Sequence, residues 1–184
     1  MPQLLNINQA DFEVQFQALL TAKREDSPDV DAVVAEIISD VRMRGDAAVI
    51  ELTSKFDRLN LAPDTLAFSR EEILAHCATV PAEERAALEL AAERIWDYHV
   101  RQMPEDASWV DASGATLGWR WTPVSAAGLY VPGGLASYPS SVLMNAIPAK
   151  VAGVARLAIC VPTPDGLTNP LVLLAAQIAG VDEI

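Results

Sequence analysis

Residues 126–153 combine glycines, serines and apolar residues in an order that is typical of a site for an anionic ligand. An apolar strand pattern over 126–131 leads into Pro132, Gly133 and Gly134, and a serine-containing loop then precedes an apolar helical segment. Glycine permits positive φ and close approach of the backbone to a ligand, and the free N–H groups of a helix N-terminus point at an anion. A strand, a glycine turn and a helix in this order predict a nucleotide or phosphate site at the head of a βαβ unit.

The spacing of these residues leaves two interpretations open. The run is neither G-x-G-x-x-G nor a Walker loop, so the spacing favours a structural turn at least as much as a ligand loop. Ser140 and Ser141 can donate to a phosphate or can cap the following helix, and the pattern favours neither use.

The elements that must hold this loop follow Pro123 in the order strand, helix, strand, helix, strand. The predicted spans are 126–131, 141–152, 156–161, 170–179 and a third strand that begins in 181–184. This order is typical of the first half of a Rossmann-like, doubly wound parallel sheet, which binds ligands at the carboxyl ends of its strands. The continuous apolar run 156–161 favours a strand that is buried on both faces.

Residues 1–102 are predicted to form successive helices that carry no evident catalytic or binding residues. Apolar residues recur at helical spacing, and the longest helix is expected from Pro81 to about Gln102. Ser69 and Glu72 have the spacing of a capping box.

A β-hairpin is expected next, around a Ser113-Gly114 turn. Trp119 and Trp121 share one face of its second strand. They could stack on an adenine, but covering a core is the favoured use. With the boundary at Pro123, the chain is predicted to be α/β, with a helical region and hairpin over 1–122 and an incomplete Rossmann-like domain over 123–184.

The histidines and cysteines favour structural roles. His76 and His99 belong to no metal-binding pattern, and His99 falls on an apolar helix face, as expected of a core or rim histidine. Cys77 and Cys160 are too few and too far apart for a disulfide framework or a zinc motif. Cys160 ends an apolar strand pattern and is predicted to be a small buried residue.

The composition narrows the class of protein. Half of the 184 residues are hydrophobic, as in a globular domain. The formal charge of −12 argues against binding to nucleic acid or to an anionic membrane. No apolar run has the length of a membrane span, and the N-terminus lacks the pattern of a secretion signal. A cytoplasmic protein is expected.

Several long motifs together resemble the histidinol dehydrogenase family. They are RGDAAVIELTSKFD, PAEERAALELAAERIWDYHVRQ, GATLGWRWTPVSAAGLYVPGG, YPSSVLMNAIPAKVAGV and NPLVLLAAQIAGVDEI. Only the first twenty-odd residues are generic. The resemblance implies an enzyme of histidine biosynthesis that oxidises L-histidinol to L-histidine in two NAD-dependent steps through L-histidinal. It also implies a bound zinc and a homodimer.

The resemblance assigns Tyr130 to the cofactor, because the tyrosine of GLYVPGG binds NAD in the family. Pro132, Gly133 and Gly134 would shape the loop. The alternative for Tyr130 is a buried sheet tyrosine with a satisfied hydroxyl.

The zinc ligands and the catalytic Glu-His pair of the family lie beyond position 184. The chain is therefore expected to be an N-terminal portion that holds no catalytic or metal-binding residue and is inactive alone. The alternative is a non-catalytic nucleotide-binding or assembly module of the same family. A different nucleotide-binding α/β enzyme is disfavoured by the contiguous motif match.

Overall fold

The computed structural model describes residues 4–22, 28–132 and 138–184. The chain forms two compact units, Met1–Val49 and Ile50–Ile184. The domain division at Pro123 stays a prediction.

The first unit is helical. It contains α1 (Phe12–Ala22), α2 (Pro28–Arg44) and the start of α3 (Asp46–Asp57). Gly45 has a φ of +58° and separates α2 from α3, as expected of a glycine that ends a helix. Val33, Val34 and Ile38 of the apolar stripe of α2 are exposed.

The second unit contains the remaining elements, which follow the predicted order. They are α4 (Arg70–Ala78), α5 (Ala82–Val100), β1 (Ala107–Val110), β2 (Thr116–Trp119), β3 (Ala126–Tyr130), α6 (Pro139–Val151), β4 (Arg156–Cys160) and α7 (Pro170–Ile178). Strands β1 and β2 form the predicted antiparallel hairpin.

Side-chain caps define where two of these helices begin. The Ser69 hydroxyl accepts from the Glu72 N–H at 3.2 Å, and the Glu72 carboxylate accepts from the Ser69 N–H at 2.7 Å, which confirms the capping box ahead of α4. These bonds from Ser69 lower the pKa of Glu72. The Asn169 side chain accepts from the Leu171 N–H at 2.8 Å and caps α7, where Pro170 takes the first helical position.

The strands of the parallel sheet are ordered as in the first half of a doubly wound fold. β3 and β4 pair in parallel from Ala126 opposite Arg156 to Tyr130 opposite Cys160. Glu183 forms a parallel bridge to Ala158, so β4 lies between β3 and the beginning of a third strand. The predicted α/β class is confirmed.

One face of this sheet carries the core of the unit. Leu157 and Ile159 of β4 are buried, and Ala127 and Leu129 of β3 pack against the same cluster. The helices α5, α6 and α7 contribute Ala92, Val142, Leu143, Ala146, Ile147, Val172, Ala175 and Ala176 to it. Because α6 and α7 both contribute to this cluster, they lie on the same side of the sheet, as right-handed crossovers between successive neighbouring strands require.

The other face of the sheet is open among the described residues. Burial along β4 alternates, with Arg156 and Cys160 exposed around buried Leu157 and Ile159. The prediction that this strand is buried on both faces is therefore wrong for the described part of the chain. Ala158 at the middle of the strand is half-buried and has no side chain beyond its β-carbon. Because this small residue is apolar, the composition of the strand gives no sign that burial alternates along it.

A carboxylate fixes the third strand beside β4. One Asp182 carboxylate oxygen accepts from Lys150 Nζ at 2.7 Å and from the Leu157 N–H at 2.8 Å. Lys150 belongs to α6, and only 19% of its side chain is exposed. The Lys150 ammonium, followed by the Leu157 N–H, holds the pKa of Asp182 below its ordinary value. Asp182 thus joins the third strand, β4 and α6.

We expect Asp182→Ala to lower the free energy of unfolding by about 1 kcal/mol, since a partly exposed, charge-assisted pair of hydrogen bonds is lost. Because the folded-state pKa of Asp182 is depressed, its contribution is present above about pH 4 and is lost as the pH falls through the folded-state pKa. Urea unfolding at neutral and acidic pH measures both effects.

Glu183→Gln is the matched control. Glu183 pairs with Arg156 at 2.8 Å, but both side chains are more than half exposed, so little stability depends on this pair. Equal destabilisation by the two variants would contradict the role of Asp182.

Candidate cofactor-binding edge

The carboxyl ends of β3 and β4 bring Tyr130 and Cys160 side by side. The two residues are register partners in the parallel pair, and both side chains are exposed, Tyr130 by 65%. The Val131 N–H donates to the Cys160 carbonyl at 3.0 Å and carries the ladder one residue further. The alternative of a buried Tyr130 is therefore wrong.

Strand alternation explains the direction of the Tyr130 side chain. Leu129 packs against the core and Val131 is fully buried, so Tyr130 between them faces the opposite side. Gly128 lies on the same open face, and a β-carbon built there would meet no described atom within 4 Å. A flat aromatic ring and bare backbone together offer a surface that a planar ligand can approach.

The loop after β3 is described only at its ends. Pro132 is exposed, whereas Gly133 and Gly134 lie outside the described residues. The part that these three residues play in shaping a ligand loop stays a prediction.

The helix after this loop begins earlier than predicted. Tyr138 is the N-cap residue of α6, Pro139 takes the first helical position, and Ser140 and Ser141 follow inside the first turn. Neither serine is the cap, so that interpretation is wrong, because proline is favoured at the first helical position and moves the helix start towards the loop. The Ser141 N–H donates to the Tyr138 carbonyl at 3.0 Å.

The hydroxyls of the two serines remain as candidate phosphate donors. Ser140 is exposed and Ser141 is half-buried at the end of α6 that faces the loop. Their contact with a phosphate stays a prediction.

The loop after β4 lies at the same edge of the sheet. Asp165 within it has a left-handed φ of +57° and is followed by Gly166 at +73°. The Asp165 carboxylate accepts from two guanidinium nitrogens of Arg58, each at 2.6 Å, and this pairing lowers the pKa of Asp165. Sequence reasoning missed the pair, because a Pro-Asp-Gly turn indicates a loop but not a partner 107 residues away.

The histidines have aromatic neighbours. The His76 ring meets Phe68 edge-on at 6.3 Å, and the His99 ring meets Tyr98 at 5.2 Å. Both histidines are half-buried on helices. Over residues 4–22, 28–132 and 138–184, no group of three or more His, Cys, Asp or Glu side chains is placed to hold a metal ion.

The two cysteines differ in environment. Cys77 is buried, and burial raises the pKa of its thiol. Cys160 is exposed, so the prediction that it is buried is wrong. Ile159 takes the covered face of β4, and the period of two in a strand turns Cys160 away from it.

The hairpin tryptophans do not cover a core. Trp119 is 54% and Trp121 is 60% exposed, which makes the favoured structural use wrong. Trp119 packs edge-on against Trp109 at 5.3 Å and donates from its indole nitrogen to the Glu105 carbonyl at 3.0 Å.

Within the described part of the chain, no helix is long and apolar enough to cross a membrane.

Comparison with known proteins gives a consistent result. The sequence profile of the histidinol dehydrogenase family matches residues 20–184. The chain is 75% identical over its whole length to the histidinol dehydrogenase of Ruegeria pomeroyi and 71% identical to that of Cereibacter sphaeroides. It spans 42% of the length of each of these relatives.

A solved structure has the same fold. The crystal structure of histidinol dehydrogenase from Elizabethkingia anophelis superposes with a TM-score of 0.78 at 31% sequence identity. The match covers 83% of this chain and 35% of that one.

We expect the two thiols to react with a disulfide reagent at very different rates. Cys160 is exposed and should react at once, whereas Cys77 is buried and holds its proton more tightly, so it should react only as the protein opens. Absorbance of the released thiolate under mildly alkaline conditions follows both phases. Cys160→Ser should remove the fast phase alone, and a fast phase that survives this substitution would contradict the assignment.

Proposed function

Because this chain belongs to the histidinol dehydrogenase family, we propose that it supplies the NAD-binding edge of an enzyme that oxidises L-histidinol to L-histidine through L-histidinal. The observation that carries the proposal is the exposed Tyr130 at the carboxyl end of β3. In doubly wound sheets this end of the strands faces the ligand crevice.

The proposed reaction removes two hydrides from the same carbon in succession. The alcohol first gives a hydride to one NAD and a proton to a base, which leaves the aldehyde. The aldehyde would then take up water to form its hydrate, which would give a second hydride to another NAD and a second proton to a base and so leave the acid. Each step requires a nicotinamide held against the reacting carbon, and NAD supplies the hydride acceptor when it is bound.

The residues of this edge fit a dinucleotide. Tyr130 offers an exposed ring face and a hydroxyl, and the open face at Gly128 lets a ligand reach the backbone. The hydroxyls of Ser140 and Ser141 lie at the start of α6, where a helix favours a phosphate. We propose that these groups bind and orient NAD, while Pro132, Gly133 and Gly134 shape the loop between them.

The zinc that belongs with this activity has no matching donor set among the described residues. No step of the proposal therefore passes through a metal held by this chain. The proposal includes a cytoplasmic homodimer that does not bind nucleic acid, in keeping with the acidic charge of −12.

We expect Tyr130→Ala in the full-length protein to weaken NAD binding by about 1–3 kcal/mol, since one aromatic contact and one hydrogen bond are lost. Zinc binding should change less. Calorimetric titration with NAD and metal analysis of the folded variant measure both.

Two variants accompany this test. Tyr98→Ala removes another exposed tyrosine, on α5, and should leave NAD affinity unchanged. Tyr130→Phe keeps the ring and isolates the hydroxyl. An NAD affinity that Tyr130→Ala does not alter would refute the assignment of Tyr130.

We also expect the 184-residue chain alone to show no histidinol oxidation and to hold no stoichiometric zinc. The reason is that, among the described residues, no group of three or more His, Cys, Asp or Glu side chains is placed to hold a metal ion. NADH absorbance and metal analysis of the purified chain test this. Turnover comparable to that of a full-length relative would contradict it.

A further inference from the structure

The geometry points to Arg58 and Asp165 as a positioning pair that holds the loop after β4 as one wall of the cofactor crevice, an inference that rests on the proposed function. Neither residue is assigned contact with NAD or substrate. The pair acts by fixing the backbone of residues 161–169, which follows directly on the strand end at Cys160.

The pair joins two unusual backbone positions. Among the residues that the structure describes, Arg58 and Asp165 are the non-glycine residues with positive φ, at 56° and 57°. Their side chains make a two-point ion pair with both nitrogen–oxygen distances at 2.6 Å. A β-carbon built at Gly166 would lie 3.5 Å from Leu59 Cδ1, so the residues that follow Arg58 and Asp165 also approach each other closely.

Stability does not account for this arrangement. The left-handed region is costly for an arginine and less costly for an aspartate, and here Arg58 and Asp165 both adopt it. Both side chains of the ion pair are more than half exposed, and such pairs contribute little to folding. Glycine at either position would relieve the strain, but it would lose the link between the two segments. Strained backbone that is fixed by its surroundings is concentrated at ligand sites.

The position of the loop relates the pair to the cofactor. Cys160 at the end of β4 lies opposite Tyr130 at the end of β3, so the loops after the two strands border the same edge of the sheet. In dinucleotide-binding folds, the loop after the first strand meets the pyrophosphate and the end of the second strand meets a ribose. A shift of residues 161–169 would therefore change the width of the crevice next to Tyr130.

The test uses the full-length protein with Arg58→Gln, Asp165→Asn and both together. Asparagine tolerates the left-handed backbone, so Asp165→Asn removes the charge without adding strain. Each single variant should weaken NAD binding roughly 3- to 10-fold, as expected for an indirect contact, with turnover at saturating NAD unchanged. The double variant should be no weaker than either single variant, because the two residues act as one unit.

Arg156→Gln is the matched control. It breaks an exposed two-point pair with Glu183 of the same kind, but at the amino end of β4. NAD affinity should stay at the wild-type value, while hydrogen exchange of residues 161–169 should rise in Arg58→Gln and not in Arg156→Gln.

The outcomes separate this inference from the proposed function. A wild-type protein that does not bind NAD would overturn the proposed function. A wild-type protein that binds NAD, with Arg58→Gln and Asp165→Asn binding it equally well, would overturn the positioning pair alone. Additive losses in the double variant would likewise overturn it, because the two residues would then act independently. A loss in Asp165→Asn without one in Arg58→Gln would overturn it and would assign Asp165 to the ligand directly.

Discussion

Burial of a single face of the β3–β4 sheet is the constraint on which the rest of the second unit depends. Leu157 and Ile159 are covered on that face by residues of α5, α6 and α7. Strand alternation then sends every second side chain to the open face, including Tyr130 and Cys160 at the strand ends. The exposure of the candidate site is thus a direct result of how the core is packed.

Polar contacts hold the ends of this layered unit. Asp182 ties the third strand to β4 and α6 through Lys150 and the Leu157 N–H. On the loop after β4, Asp165 forms an ion pair with Arg58, which directly follows α3. The first contact is partly shielded and contributes to stability, whereas the second is exposed and strained, which is why we relate it to positioning.

The family relationship and the structure together support the cofactor-binding edge that we propose. The profile match covers residues 20–184, and the solved histidinol dehydrogenase superposes on most of the chain. Three features lie around one edge of the sheet: the exposed strand ends, the first turn of α6 and the loop after β4 that Arg58 holds through Asp165. This edge is where a doubly wound half-sheet presents its backbone to a dinucleotide.

The sequence by itself determined the local elements. The Ser69–Glu72 box, the Asn169 cap, the glycine ends of helices and the strand-helix-strand order could be read because each depends on neighbouring residues. The motifs that resemble one family also predicted Tyr130 as the functional residue, although its contact with NAD stays a prediction.

Only the tertiary structure decided which way the side chains face and which distant residues meet. Because the run 156–161 is apolar nearly throughout, its sequence gives no sign that burial alternates along the strand, and it predicted a buried Cys160. Similarly, Pro139 takes the first helical position of α6, so neither Ser140 nor Ser141 is the cap. Arg58 and Asp165 are joined across 107 residues, and no local pattern reports such a contact. Packing on one face of a sheet and pairing between remote loops are properties of the folded chain, because they depend on which elements come together and not on the composition of any one of them.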